Sequence, residues 1–315
     1  MFIEQGIKPE NKFWKYLLGS LLIFIASQIG SLPLVIAVGI KSFKNGEMPT
    51  NTDDIIKMLD PNLSLFLMLL MFVFGLIALY FVVKKLHNQT ILSVTTSRKK
   101  VDWSRIFFSF SLWAIITIVS TLIAFYYGDG KLILDFNPEK FAVLAVIAIV
   151  LLPIQTTTEE YIFRGYLMQG FANLERNRWF PLLMTSVIFG TMHILNPEVS
   201  ELGNIVLVYY IGTGLFLGIM TLMDEGMELA LGFHAANNLI GALLVSTDWT
   251  VLKTYAIFKD TAEPSAGFET IFLPIFIMFP IILFIFSKKY KWNNWKDKLT
   301  GNLNTFTLKK AYKND

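Results

Sequence analysis

The chain has no cysteine, so disulfides, thiolate metal sites and a cysteine nucleophile are all excluded. Histidine is scarce: three in 315 residues, at positions 87, 193 and 234. No HExxH pair occurs, so the usual zinc-protease signature is missing. Charged residues make up 16% of the chain, against about a quarter in a water-soluble domain. Hydrophobic residues make up 54%, and the mean hydropathy is +0.54. That balance excludes an ordinary soluble domain and fits a polytopic membrane protein. There is no internal repeat, low-complexity tract or second soluble domain.

Long apolar runs fill the sequence instead. They predict an all-α transmembrane helical bundle of about eight spans: 16–40, 63–83, 106–127, a fourth from about residue 140, then 179–195, 202–223, 227–245 and 268–287. The first run is too long for a signal-peptide core and reads as an uncleaved span. Residues 53–59 predict a short surface helix, and His87, in a basic segment, a solvated surface residue. Eight spans put both termini on one side, together with about 20 of the 27 Lys and Arg residues. By the positive-inside rule that side is the cytoplasm of a multi-pass cell-membrane protein. The Lys-rich tail with Trp292 and Trp295 suits an anionic lipid surface.

The stretch 155–170, QTTTEEYIFRGYLMQG, follows the apolar run FAVLAVIAIVLLP. Ionisable groups at membrane depth are expensive and default to function. On a helix Glu160 and Arg164 are i,i+4 neighbours and can pair, while Glu159 lies about 100° round and stays available. The competing reading is a capping box from Thr156 or Thr157 to the Glu three residues on. Pro153 predicts an interruption of the fourth span, with Thr156, Thr157 and Thr158 bonding the freed backbone. On the sixth span Gly212, Gly214 and Gly218 include a small-xxx-small pair, which favours close helix packing.

Two further polar motifs follow: FGTMH (189–193) and HAANN (234–238). His234 and Asn238 are i,i+4 and face one way; Asn237 points elsewhere. Glu159 and His193 are each 17 residues from the turn near Arg176, so they share a height. His234 is nine residues from the turn at Glu225, which leaves a height difference of roughly 12 Å to be absorbed by tilt or uneven loops. Singly, each intramembrane His or Asn reads as a helix–helix hydrogen bond. Together, two carboxylates, two histidines and an asparagine supply a base for water and donors for an oxyanion.

The order EEYIFR (159–164), FGTMH (189–193), HAANN (234–238) resembles the CAAX prenyl protease type II family, the CPBP intramembrane proteases. The resemblance covers residues from about 140 to 245. It divides the chain into N-terminal spans (1–139), a protease core (140–245), and a last span with a basic cytoplasmic tail (246–315). It implies an intramembrane endopeptidase acting on peptides or membrane proteins in the lipid bilayer, with no nucleic-acid partner. By the same resemblance Glu159 activates water with help from His193, Glu160 and Arg164 order the site, and His234 and Asn238 hold the oxyanion. A metal-free mechanism without cofactor is expected. A divalent metal such as zinc is the alternative, and its ligands would come from His193, His234 and Glu159. The other classes open to this sequence are a secondary transporter and a non-catalytic membrane immunity or binding protein. Against the transporter, no second broken segment matches the first.

Overall fold

The computed structural model describes residues 1–303. The last stretch of the predicted basic tail, 304–315, lies outside the described residues. The chain is predominantly helical. In order come α1 (Phe13–Asn45), α2 (Thr52–Lys57), α3 (Pro61–Phe81), α4 (Ile91–Thr95) and α5 (Trp103–Tyr127). Next are α6 (Pro138–Glu160), a π-helical stretch (Tyr161–Leu167), α7 (Met168–Glu175), α8 (Trp179–Thr191) and α9 (Pro197–Leu202). Then follow α10 (Val206–Asp224), α11 (Glu228–Leu244), α12 (Phe279–Tyr290) and α13 (Trp295–Thr300). Short strands β1 (Leu132–Leu134), β2 (Val245–Ser246) and β3 (Phe258–Asp260) form a small sheet, β3 in the middle, antiparallel to β1 and parallel to β2. That sheet departs from the expected all-α fold. The surface helix expected at 53–59 is α2.

Among the described residues six helices are long and apolar enough to cross a membrane, not the expected eight. The fifth and seventh expected spans are shorter. α8 has 13 residues and α11 has 17, about 20 and 26 Å at 1.5 Å per residue, against a hydrocarbon core near 30 Å. Apolar residues continue past α8, but Asn196–Pro197 follows, and the residue before a proline disfavours the helical conformation. His193 therefore sits in the turn beyond α8, its N–H donating to the Gly190 carbonyl at 3.2 Å. Met192 and Leu195 beside it are 64% and 77% exposed, as suits a lipid-facing tip.

Two local expectations fail for one reason. α6 runs through Pro153 without a break, and Asn137 caps its start by accepting from the Lys140 N–H. Neither Thr156 nor Thr157 begins a helix. Thr158 instead donates to the Ile154 carbonyl (2.8 Å) and to the Phe72 carbonyl of α3 (3.0 Å), tying two helices together. The irregularity falls further on, in the π-helical stretch, where Arg164 lies. Such bulges widen the helix locally and are frequent at functional sites.

Cores form where the apolar faces meet. Leu65 and Leu69 of α3, Leu144 and Leu152 of α6, and Leu239 of α11 make one cluster. Phe216 and Met220 of α10, Phe233 of α11, and Phe279 and Phe286 of α12 make another. α8 and α10 approach closely because Gly214 has no side chain; an added Cβ would meet the Ser186 Cα at 2.8 Å. The small-xxx-small pair on α10 thus does what its spacing predicts.

His87 is the clearest reversal. It is fully buried, with Nδ1 against Asn11 Oδ1 (3.1 Å) and Nε2 against the Tyr166 hydroxyl (2.9 Å). Burial, aided by the charge of Lys15, pushes its pKa down from 6.5 to about 4. The neutral ring is the form the fold accepts. Its contribution is complete above pH 6.5 and is lost as pH falls toward 4, about 3 kcal/mol at most. We expect the melting temperature in detergent to fall across that window, and His87→Gln to flatten the fall. Parallel curves for the two proteins would exclude His87 as its source.

Both described ends of the chain meet at one end of the bundle. The Phe2 N–H donates to Glu225 Oε2 (2.6 Å), Lys298 pairs with Glu225 Oε1 (2.8 Å), and the Leu303 N–H donates to the Arg176 carbonyl (2.8 Å).

Candidate functional site

The three motifs converge in the bundle interior. Glu160 ends α6 and Arg164 lies one turn on, so helix geometry alone brings them together: Arg164 Nη1 donates to Glu160 Oε1 at 2.9 Å. Both are buried, 0% and 1% exposed. Arg164 Nη2 donates to the Gly214 carbonyl (3.3 Å), and the guanidinium lies 4.5 Å from the Phe189 ring centre. A buried charge needs such a set of partners, because lone desolvation costs several kcal/mol.

His234, on α11, reaches the same carboxylate. Its Nδ1 donates to Glu160 Oε1 at 2.7 Å, and its Nε2 faces Glu159 Oε2 across 3.5 Å. The expected 12 Å height difference is therefore absorbed in the fold. The π-helical stretch and α7 lie between Glu160 and the Arg176 turn, and they pack against Ile3–Gly6 as well as against α8 and α1.

Glu159 is held differently from its neighbour. Its Oε1 accepts from Gln155 Nε2 (2.6 Å), one helical turn back. Gln155 Oε1 in turn accepts from Asn238 Nδ2 (2.9 Å), Asn238 Oδ1 from Asn237 Nδ2 (3.0 Å), and Asn237 Oδ1 from Trp113 Nε1 (3.1 Å). The chain of amides points every donor toward Glu159. Its side chain is 14% exposed, whereas that of Glu160 is sealed.

His193 approaches from the α8 end. Its Nδ1 donates to the Phe189 carbonyl (2.8 Å), which fixes the tautomer. Its Nε2 has no hydrogen-bond partner among the described residues and remains a free acceptor. The ring stacks on Tyr210 of α10, centres 4.1 Å apart and planes 18° apart. The Phe189 ring lies between the imidazoles, 4.9 Å from His193 and 6.1 Å from His234. Glu159, His234 and Arg164 all lie within electrostatic reach of His193.

Glu159, Glu160, Arg164 and His234 thus form one direct cluster. Asn238 joins it through Gln155, and His193 borders it across Phe189. Sequence reasoning gave no role to Gln155, Trp113 or Tyr210. Gln155 had a signal, since it stands four residues before Glu159; Trp113 and Tyr210 reach the site only by helix packing. Among the described residues no group of three His, Cys, Asp or Glu side chains is arranged to hold an ion. His234 has one nitrogen on Glu160, and His193 one on a backbone carbonyl.

Comparison with known proteins bears on the whole chain and on this segment. A Bacillus subtilis (strain 168) protein described as "Uncharacterized protein YyaK" is 28% identical over 243 residues, covering 77% of this chain and 81% of that protein. No solved structure matches. The family model described as "Type II CAAX prenyl endopeptidase Rce1-like" matches residues 138–240, so the segment that carries all three motifs matches the family that those motifs resemble.

Proposed function

We propose that the protein is an intramembrane endopeptidase, hydrolysing peptide bonds of membrane-associated peptides or proteins. The observation that carries this reading is the division of labour between adjacent carboxylates. Glu160 is sealed, with its Oε1 taken by Arg164 and His234, while the Glu159 side chain stays 14% exposed. The family match over residues 138–240 supports a peptidase, and six long apolar helices support a bilayer setting.

In this reading Glu159 removes a proton from a water, with the free Nε2 of His193 as its helper, and the hydroxide attacks the scissile carbonyl. The carbonyl oxygen becomes an oxyanion, for which protonated His234 Nε2 and the Asn238 amide are the donors. Collapse of the tetrahedral intermediate breaks the C–N bond. The proton held by Glu159 goes to the leaving amine, so the base returns to its starting state. No step requires a metal ligand set.

The test is cleavage of membrane-associated peptides by the purified chain in detergent or nanodiscs, with products mapped by mass spectrometry. Cleavage that survives exhaustive chelation is the expected result. Activity lost on chelation and restored by one metal alone would replace the metal-free mechanism. No cleavage of any peptide, with a binding function intact, would leave a non-catalytic membrane protein.

The same reading places both termini in the cytoplasm, since the basic residues crowd that end. Reporters fused after Asp315 and within 41–62 are expected on opposite sides of the membrane. Reporters on the same side would overturn the topology.

A further inference from the structure

A second built feature lies away from the site, where the last apolar helix ends. α12 closes with Ser287, Lys288, Lys289 and Tyr290, and Lys291 turns the chain through a left-handed residue (φ 53°) into α13. A groove opens there. Its lower wall is apolar, Leu283 and Phe284; its upper wall carries Ser287, Lys288 and Lys291, flanked by Trp292 and Trp295.

Three properties of this groove point to one ligand chemistry. Among the described residues no carboxylate lines it and neither Lys288 nor Lys291 forms an ion pair; both are exposed, and Lys288 Nζ lies 5.4 Å from the Phe284 ring centre. The aromatic walls are fixed in advance. Trp292 Nε1 donates to Asp224 Oδ1 (3.1 Å), its ring packs on Phe286 (6.3 Å), and Trp295 leans on it at 5.8 Å. The groove also straddles the polar end of the helical run Phe268–Tyr290, which α12 completes and which is long and apolar enough to span a bilayer. A spanning helix puts its apolar residues in hydrocarbon and the lysines that end it at headgroup height, the level that tryptophan favours.

We propose that this groove binds one anionic phospholipid. Its acyl chains lie along Leu283 and Phe284, and its phosphate meets Lys288, Lys291 and the Ser287 hydroxyl. A lysine near an anionic headgroup contributes about a fivefold gain in affinity, so two give roughly 25-fold over a zwitterionic lipid.

The test is native mass spectrometry of the full chain in detergent, titrated with phosphatidylglycerol or phosphatidylcholine. The readout is lipid binding and does not depend on peptide cleavage, so failure here leaves the protease reading standing, and the reverse. We expect one phosphatidylglycerol held about 25-fold more tightly than phosphatidylcholine. The pair Lys288→Gln with Lys291→Asn should lose most of that preference, asparagine being tolerant of the left-handed turn. Lys84→Gln with Lys85→Gln removes the same charge from exposed positions elsewhere and should keep it. If the groove pair does not fold, Lys288→Gln alone should lose about fivefold. Equal preference in wild type and groove variants overturns the proposal. So does equal loss in the Lys84/Lys85 control, which would mean a general charge effect. Competition by free glycerol phosphate as effective as by phosphatidylglycerol would show a phosphate site and not a lipid one.

Discussion

Glu159→Gln should abolish peptide cleavage while leaving the fold intact. The substitution keeps the shape of the side chain and keeps an oxygen that can accept from Gln155 Nε2, so the amide chain back to Trp113 survives. What it removes is the ability to take a proton. General-base catalysis is worth about 10²- to 10⁴-fold, and the rate should fall by at least the lower figure. The melting temperature should not move, because Glu160 keeps its contacts with Arg164 and His234 and the glutamine amide can still face His234 Nε2. A Glu159→Gln protein that keeps a tenth or more of the wild-type rate would sink its role as base. One that loses activity only in proportion to lost folded protein would make Glu159 a scaffold residue.

The sites that sequence could and could not locate differ in the range of the contacts that define them. Glu160 with Arg164 was legible because helix geometry at i,i+4 brings the two together. So was the common direction of the polar groups, since none is tolerable against lipid. His234 pairing with Glu160 was not legible; counting residues from the loops set them at different heights. A hydropathy run cannot show where a helix stops inside an apolar stretch, so α8 was read four residues too long and His193 was placed on a span, not in the turn after it. Pro153 misled in the same way, because a proline's effect depends on what the neighbouring helix offers. Here Thr158 on the next turn bonds α3, and the chain stays helical. His87 misled most. Its basic surroundings suggested solvent, but Asn11 and Tyr166 come from 76 and 79 residues away, and no local pattern announces them. Tyr210 likewise meets His193 only because α10 folds back along α8.

The second large effect lies in stability and separates Glu160 from Glu159. Glu160→Gln leaves Arg164 buried with no carboxylate partner, only the Gly214 carbonyl and the Phe189 and Phe163 rings, and leaves His234 Nδ1 facing an amide. Removing one member of a buried ion pair typically costs about 3–5 kcal/mol, because the other charge remains uncompensated. At about 2–4 °C per kcal/mol, the melting temperature in detergent should fall by roughly 10 °C. Activity should fall with it, since His234 loses the contact that orients it toward Glu159. Arg164→Ala alone should also destabilise: Glu160 would keep His234 on Oε1, but its Oε2 already lacks a hydrogen-bond partner. The double variant Glu160→Gln with Arg164→Ala should then recover part of the loss, because no orphan charge is left, although a cavity remains where the guanidinium packed. The measurements are melting temperatures for the two single variants and the double, set beside Glu159→Gln. A double variant less stable than either single would mean that the two side chains contribute independently, and the pair would not be the element that holds the site in place.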